Sequence, residues 1–282
     1  MRIARIAGPS GPAYVVQVGD GSWIDLRPLG IDVTTTPELT EAADALAALD
    51  VEALGGGVVD PTFLAPVVAP GKLMAIGLNY SDHIRETNSN APVNPILFMK
   101  ANTSLTGPED DIIVDAAMTS MADYETELTA IIGRRTKGVS KSEALDAVFG
   151  YTVANDVTAR DCMKSDGQLV RSKSFDTYCP IGPWITTADE VPDPQALGIK
   201  TLVNGEVRQD STTGEMLFPL DHLIHFLARG MTLEPGDVLL TGTPHGVGFV
   251  MDPPRFLQPG DVVECEVEGL GKLRNRVVAP AK

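Results

Sequence analysis

From about Gly71 onward the chain alternates short apolar runs with tight turns, and no other feature constrains its fold as strongly. Short runs bounded by Gly, Pro, Asn and Asp suit strands better than helices. Leu73–Leu78, Glu125–Ile132 and Tyr151–Asn155 fit this pattern. Lys200–Val203 and Glu206–Gln209 flank Asn204-Gly205, a strong hairpin signal. Pro-Gly-Asp leads into an apolar strand twice, at Pro235–Leu240 and Pro259–Val267. Two helices interrupt the strands. Lys141–Phe149 has Ser140 as its cap and Glu143 at the capping-box position; Leu220–Arg229 stops at Gly230. Many strands with few helices predict a β-rich α+β domain.

The first part of the chain has a different texture. Val15–Val18 and Ser22–Leu26 suit short strands around Gly19-Asp20-Gly21. Thr36 is placed to cap a helix with Pro37 at its first position, and ELTEAADALAALDVEAL continues it to Gly55-Gly56-Gly57. Asp60–Gly71, with Pro61, Pro66 and Pro70, suits an extended linker. This divides the chain into a small N-terminal domain and linker at 1–69 and a larger domain at 70–282.

A net charge of −16 repels phosphate backbones and anionic lipid, so nucleic acid and membranes are not expected partners. No apolar run approaches the ~18 residues of a membrane span, and the first residues hold no apolar signal core. The three cysteines lack CxxC spacing, which predicts free, buried thiols and a reducing cytoplasm.

Five segments could carry chemistry. Glu125 and Glu127 fall on one face of a strand, because side chains alternate. Two facing carboxylates repel unless a cation lies between them, and oxygen donors select Mg²⁺, Mn²⁺ or Ca²⁺. The alternative is a solvated edge strand, against which the apolar Leu128–Ile132 stretch weighs. Asp156, closing the Tyr151–Asn155 strand, could complete a three-carboxylate site or simply begin a turn. In Asn79–Glu86, a helix would make His83 and Glu86 neighbours, a pairing that suits a general base or a plain surface ion pair. Thr87–Pro95, polar and rich in Asn, could serve as a mobile lid. Lys173, amid small and apolar residues, could hold a substrate carboxylate or be a solvated loop lysine. Thr241–Gly248 could cradle an anion with backbone amides or be a plain glycine turn, and it matches no nucleotide-binding loop. His222 and His225 lie in an apolar helix and suit structural roles.

In order, GLNYSDHIRE, PILFMKANTSLTGP, DYETELTAIIG, YTVANDVTARD, RSKSFDTYCPIGP, VNGEVRQDSTTGEMLF and LEPGDVLLTGTPHGVG form a specific series. This series resembles the fumarylacetoacetate hydrolase (FAH) superfamily of bacterial type, from about Lys72 to the C-terminus. The resemblance implies an FAH-type catalytic domain with a mixed β-sheet roll, a small N-terminal α/β domain and a homodimer. It implies Mg²⁺ or Mn²⁺ held by Glu125, Glu127 and Asp156. His83, Glu86 and Lys173 would be catalytic, with Tyr80, Arg85, Gln168 and Thr243 binding a small keto-acid substrate. In members similar to acylpyruvases and oxaloacetate decarboxylases an arginine can precede the Asn-Tyr pair. Leu78 stands there in this chain and disfavours a simple oxaloacetate-like substrate. The expected reaction is hydrolytic C–C cleavage of a 2,4-diketo acid of acylpyruvate or fumarylpyruvate type. Isomerisation, decarboxylation or lysis of a 2-hydroxy-diene-dioate or related acid on the same site is the alternative. A non-enzymatic binding protein is a third, less favoured reading.

Overall fold

Apolar side chains recur every second residue along Thr126–Ile132, and this period sets the centre of the molecule. Leu128, Ala130 and Ile132 enter one hydrophobic core, whereas Ile131 enters the core on the opposite face. Every residue of this strand is buried, so it runs through the interior and not along an edge. Burying a single Leu or Ile contributes roughly 1.5–3 kcal/mol, so a one-residue slip in register would be costly.

The computed structural model describes residues 1–19 and 21–281; Asp20, in the expected Gly19-Asp20-Gly21 turn, lies outside the described residues. The principal strands are β1 (Arg2–Ile6), β2 (Ala13–Gln17), β3 (Trp23–Asp25), β4 (Leu73–Gly77), β5 (Ile96–Met99), β6 (Thr126–Ile132), β7 (Val148–Asn155), β8 (Cys179–Thr187), β9 (Gly198–Val203), β10 (Glu206–Thr212), β11 (Val238–Leu240), β12 (Val262–Val267) and β13 (Gly271–Val278). The main sheet has the order β3-β2-β1-β8-β7-β6-β11-β4-β5, with Phe63–Leu64 on β1 and Leu105–Thr106 on β8. It is mixed: β11 pairs with β4 in parallel, while β6 pairs with β7 and β11 antiparallel. A second sheet runs β10-β9-β12-β13 and ends on Ile112–Ile113. The architecture is a β-rich α+β fold with small helical elements.

The Asn204-Gly205 hairpin forms as expected, with Asn204 at φ 54° and Gly205 at φ 78°. The N-terminal strands extend the main sheet through the β1–β8 pairing. Helix Leu220–Gly230 buries Leu220, Leu223, Ile224, Leu227 and Ala228, the stripe of an amphipathic helix. Its two histidines act structurally. His225 Nδ1 lies 2.8 Å from the Val139 carbonyl, and His222 stacks between Phe218 and Phe226. All three cysteines are buried and free. Among the described residues no helix is long and apolar enough to cross a membrane.

Local expectations need four corrections. The N-terminal helix is capped by Thr35, whose side chain and Glu38 complete a capping box, so the cap sits one residue earlier than expected. That helix also breaks into Thr36–Glu41 and Ala43–Ala47, because Ala42 leaves helical geometry. Lys141–Ala147 is a 3₁₀ helix, and Phe149 already belongs to β7. Ser140 satisfies the Glu143 carboxylate and caps no backbone amide.

Candidate active site and metal centre

The end of the β6–β7 ladder assembles the carboxylates. Asp156 N donates to the Glu125 carbonyl at 2.8 Å, which extends the pairing one step beyond both strands. Glu125 and Glu127 share a face by strand alternation, and Asp156 closes the set from the neighbouring strand. Their carboxylate oxygens lie within 4.8 Å of one another, and all three side chains are buried.

Three cations brace this cluster. Lys173 Nζ donates to Glu125 at 2.7 Å and to Asp156 at 2.6 Å. Lys100 Nζ lies 2.6 Å from the other Asp156 oxygen and also donates to the carbonyls of Lys173 and Tyr178. Arg160 Nε donates to Asp123 at 2.9 Å, and its Nη2 lies 2.6 Å from Glu125 at an angle that falls short of a hydrogen bond. Asp123 also accepts from the amides of Gly248 at 2.7 Å and Phe249 at 3.2 Å, which holds that loop over the site.

Four buried carboxylates thus meet three buried cations, leaving one negative charge uncompensated. Glu127 carries that imbalance. Its one polar partner among the described residues is the Gly242 amide, at 2.6 Å. Burial, together with the charges of Asp156 and Glu125, pushes the Glu127 carboxyl well above the usual carboxylate range. Burial acts in the same direction on Glu125, but Lys173 and Arg160 outweigh it and hold that carboxyl at about 2. Burial opposes the Lys173 charge too, yet Asp156 and Glu125 raise its pKa, so it serves as an ammonium and not as a base. Hard oxygen donors with surplus buried negative charge fit a divalent cation such as Mg²⁺ or Mn²⁺. Glu125, Glu127 and Asp156 would hold it.

Across the cavity, the helix Ser81–Glu86 carries the His83–Glu86 pair. His83 Nδ1 lies 2.6 Å from Glu86 Oε1, and Glu86 Oε2 accepts from Gly246 N at 2.9 Å. The pair is therefore fixed at both ends. Gly246 has φ +96°, and a Cβ there would stand 2.0 Å from the Arg208 carbonyl, so this loop requires glycine. Thr243 accepts from Gln209 at 2.8 Å and donates to the Thr126 carbonyl at 2.9 Å. A cavity of about 420 Å³ is lined jointly by His83, Glu125, Lys173, Arg160 and Thr243.

Three expected substrate-binding residues are not brought into this cavity. Arg85 is exposed and pairs with Glu215 at 3.1 Å, because a residue two positions after His83 leaves the helix on the far side. Gln168 is exposed and its side chain accepts from Val170 N at 2.6 Å, so it serves its own turn. Tyr80 is fully buried behind the lining, where burial and then the nearby charges of Glu127 and Asp82 push its phenol up. Arg85→Ala is therefore expected to change kcat/KM less than twofold and stability by under ~0.5 kcal/mol, as for an exposed ion pair; steady-state kinetics and thermal melts check both. Conversely, Lys100 and Arg160 belong to the centre although the sequence argument gave them no role. The one available signal was a charged residue closing an apolar strand, as Lys100 does after Ile96–Met99.

Comparison with known proteins decides the family. Residues 72–278 match the model for the fumarylacetoacetate (FAA) hydrolase C-terminal domain. The chain belongs to the fumarylacetoacetate hydrolase family. It is 46% identical over 218 residues to the mitochondrial oxaloacetate tautomerase Fahd2a of Rattus norvegicus, covering 77% of this chain and 69% of that protein. Among solved structures, it resembles the 5-carboxymethyl-2-hydroxymuconate delta-isomerase of Mycobacterium smegmatis, with 38% identity, a TM-score of 0.80 and full coverage of both chains. It also resembles the maleylpyruvate hydrolase of Sphingobium sp. SYK-6, solved in complex with manganese (II) ion and pyruvate, with 30% identity, a TM-score of 0.79 and full coverage of both chains. The chain is a metal-associated enzyme of this family, and these relatives catalyse more than one reaction.

Proposed function

We propose that this FAH-family enzyme uses Mg²⁺ or Mn²⁺ to interconvert keto and enol forms, or double-bond isomers, of a small 2-oxo acid. The observation that carries this reading is a single cavity lined by an oriented histidine and by Glu125 and Lys173, the members of the carboxylate–lysine cluster that reach it. The tautomerase and isomerase named among its relatives support it over the hydrolytic C–C cleavage expected from the sequence. Hydrolysis would use the same groups, since a fold does not fix the reaction performed on it.

Glu86 engages His83 Nδ1, which leaves Nε2 as the ring nitrogen free to exchange a proton. In the proposed step, His83 removes a proton from the carbon beside the carbonyl and returns one at oxygen, or the reverse. The cation supplies Lewis-acid polarisation of a substrate oxygen when bound. The Lys173 ammonium, paired with Glu125 in the same cavity, would stabilise the negative charge that develops as the C–H proton leaves. The amides of Gly242 and Gly246 hold the Glu127 and Glu86 carboxylates in place. No net oxidation or added reactant is needed.

His83→Gln is expected to lower kcat by about 10²–10⁴-fold with KM nearly unchanged, the range of a lost general acid–base. Following enol absorbance under steady-state conditions measures both constants. A variant retaining more than half of the wild-type kcat would remove His83 from the proton transfer.

A further inference from the structure

The proposed centre gathers every strong charge of the cavity at one end. Among the described lining residues the basic side chains are His83, Arg160 and Lys173, and the latter two both contact Glu125. The rest of the wall is formed largely by Leu78, Ile96, Phe98, Met163, Leu169 and Phe249. The aromatic rings turn their faces toward the cations. Lys173 Nζ lies 5.4 Å from the Phe98 ring centroid, and the Arg160 guanidinium 4.4 Å from that of Phe249. These contacts add to the demand on cations already shared with carboxylates.

The backbone holds this wall rigidly. Leu78 has φ 50°, a left-handed conformation that a leucine seldom adopts. The next residue fixes it. Asn79 donates to the carbonyls of Thr241 at 2.7 Å and Phe218 at 3.1 Å, and accepts from Phe218 N at 2.9 Å. Gly242, whose Cβ would stand 2.8 Å from that of Asn79, allows the two segments to meet. The strain places an apolar side chain at the cavity wall, where surrounding structure over-determines it.

We infer that the enzyme's preferred substrate is a 2-oxo acid with one carboxylate, bound at the charged end, and an uncharged apolar tail against the Leu78–Ile96–Met163–Leu169 wall. This rests on the proposed 2-oxo-acid reading and specifies its substrate class. A second carboxylate on the tail would be desolvated beside apolar groups, with no free cation among the described lining residues to meet it. The cavity, at about 420 Å³, leaves room for a tail beyond the oxo-acid head. Each methylene buried there is expected to tighten binding about 4-fold.

Calorimetry on the full chain with Mn²⁺, using oxamates as non-reacting mimics of the 2-oxo acid head, separates the two levels of the argument. Oxalate, N-butyloxamate and N-oxalylglycine share that head and differ in having no tail, an apolar tail and a carboxylate tail. The inference expects all three to bind, with N-butyloxamate at least tenfold tighter than N-oxalylglycine. It further expects Met163→Lys, a change at a half-buried position, to narrow or invert that ratio while leaving oxalate affinity within about twofold. N-oxalylglycine binding as tightly as N-butyloxamate, with oxalate also bound, overturns the tail assignment and leaves the 2-oxo-acid reading standing. Failure of oxalate to bind the Mn²⁺-supplied protein overturns both.

Discussion

Glu127→Gln is expected to abolish divalent-cation binding and to lower kcat/KM by about 10³-fold or more, while leaving the fold intact. Losing several kcal/mol of charge stabilisation in the transition state corresponds to that range, at about 1.4 kcal/mol per decade. The stability half of the expectation comes from the imbalance at the site. Glu127 faces two carboxylates and has no cation within ion-pair reach among the described residues. Its one polar contact, with the Gly242 amide, needs an acceptor that glutamine also provides. The uncharged amide relieves repulsion, so the melting temperature without added metal should stay level or rise. Wild-type protein should gain about 2.7 kcal/mol of stability at a metal concentration 100-fold above Kd, and the variant should gain none. Thermal melts with and without Mn²⁺ separate these results; a variant still stabilised by Mn²⁺ would remove Glu127 from the ligand set.

Lys100→Met is expected to cost about 3–5 kcal/mol of stability, the range for breaking a buried ion pair by removing one partner. Lys100 Nζ is inaccessible and serves three acceptors at once: Asp156 and the carbonyls of Lys173 and Tyr178. Methionine has nearly the same length, so little of the effect is a cavity. The loss falls on groups left buried without a donor. Because whole-domain stabilities run about 5–15 kcal/mol, this one change is a large share of the total. Urea denaturation should show a lower midpoint with an unchanged slope. A loss below about 1 kcal/mol would mean that Lys173 alone neutralises Asp156. The substitution should also weaken metal binding, since Asp156 and Lys173 are both positioned through Lys100.

The legible parts of the fold and site are those governed by local periodicity. Strand alternation placed Glu125 and Glu127 on one face, and their carboxylates do converge with Asp156. Helical spacing paired His83 with Glu86, and the Asn204-Gly205 turn marked its hairpin. The same helical spacing directs Arg85 away from His83, so the motif match to Arg85 should have yielded to geometry. Gln168 and Tyr80 lie outside the cavity lining, since exposure and core burial depend on neighbours remote in sequence. Lys100 and Arg160 were invisible for the same reason. Lys100 meets Asp156 across 56 residues and Arg160 meets Asp123 across 37, and no local pattern marks such pairs. The reaction itself was the least legible feature, since the same charged cluster serves either bond cleavage or proton transfer.

The most direct test of proton transfer is proton NMR of the purified enzyme in D₂O with Mg²⁺, supplied separately with oxaloacetate and an acylpyruvate. The account predicts faster keto–enol equilibration and deuterium incorporation at the carbon beside the carbonyl, with the carbon skeleton intact and the effect lost on adding EDTA or in His83→Gln. Release of two carboxylic fragments from the acylpyruvate without prior exchange, or exchange indifferent to EDTA, would contradict it.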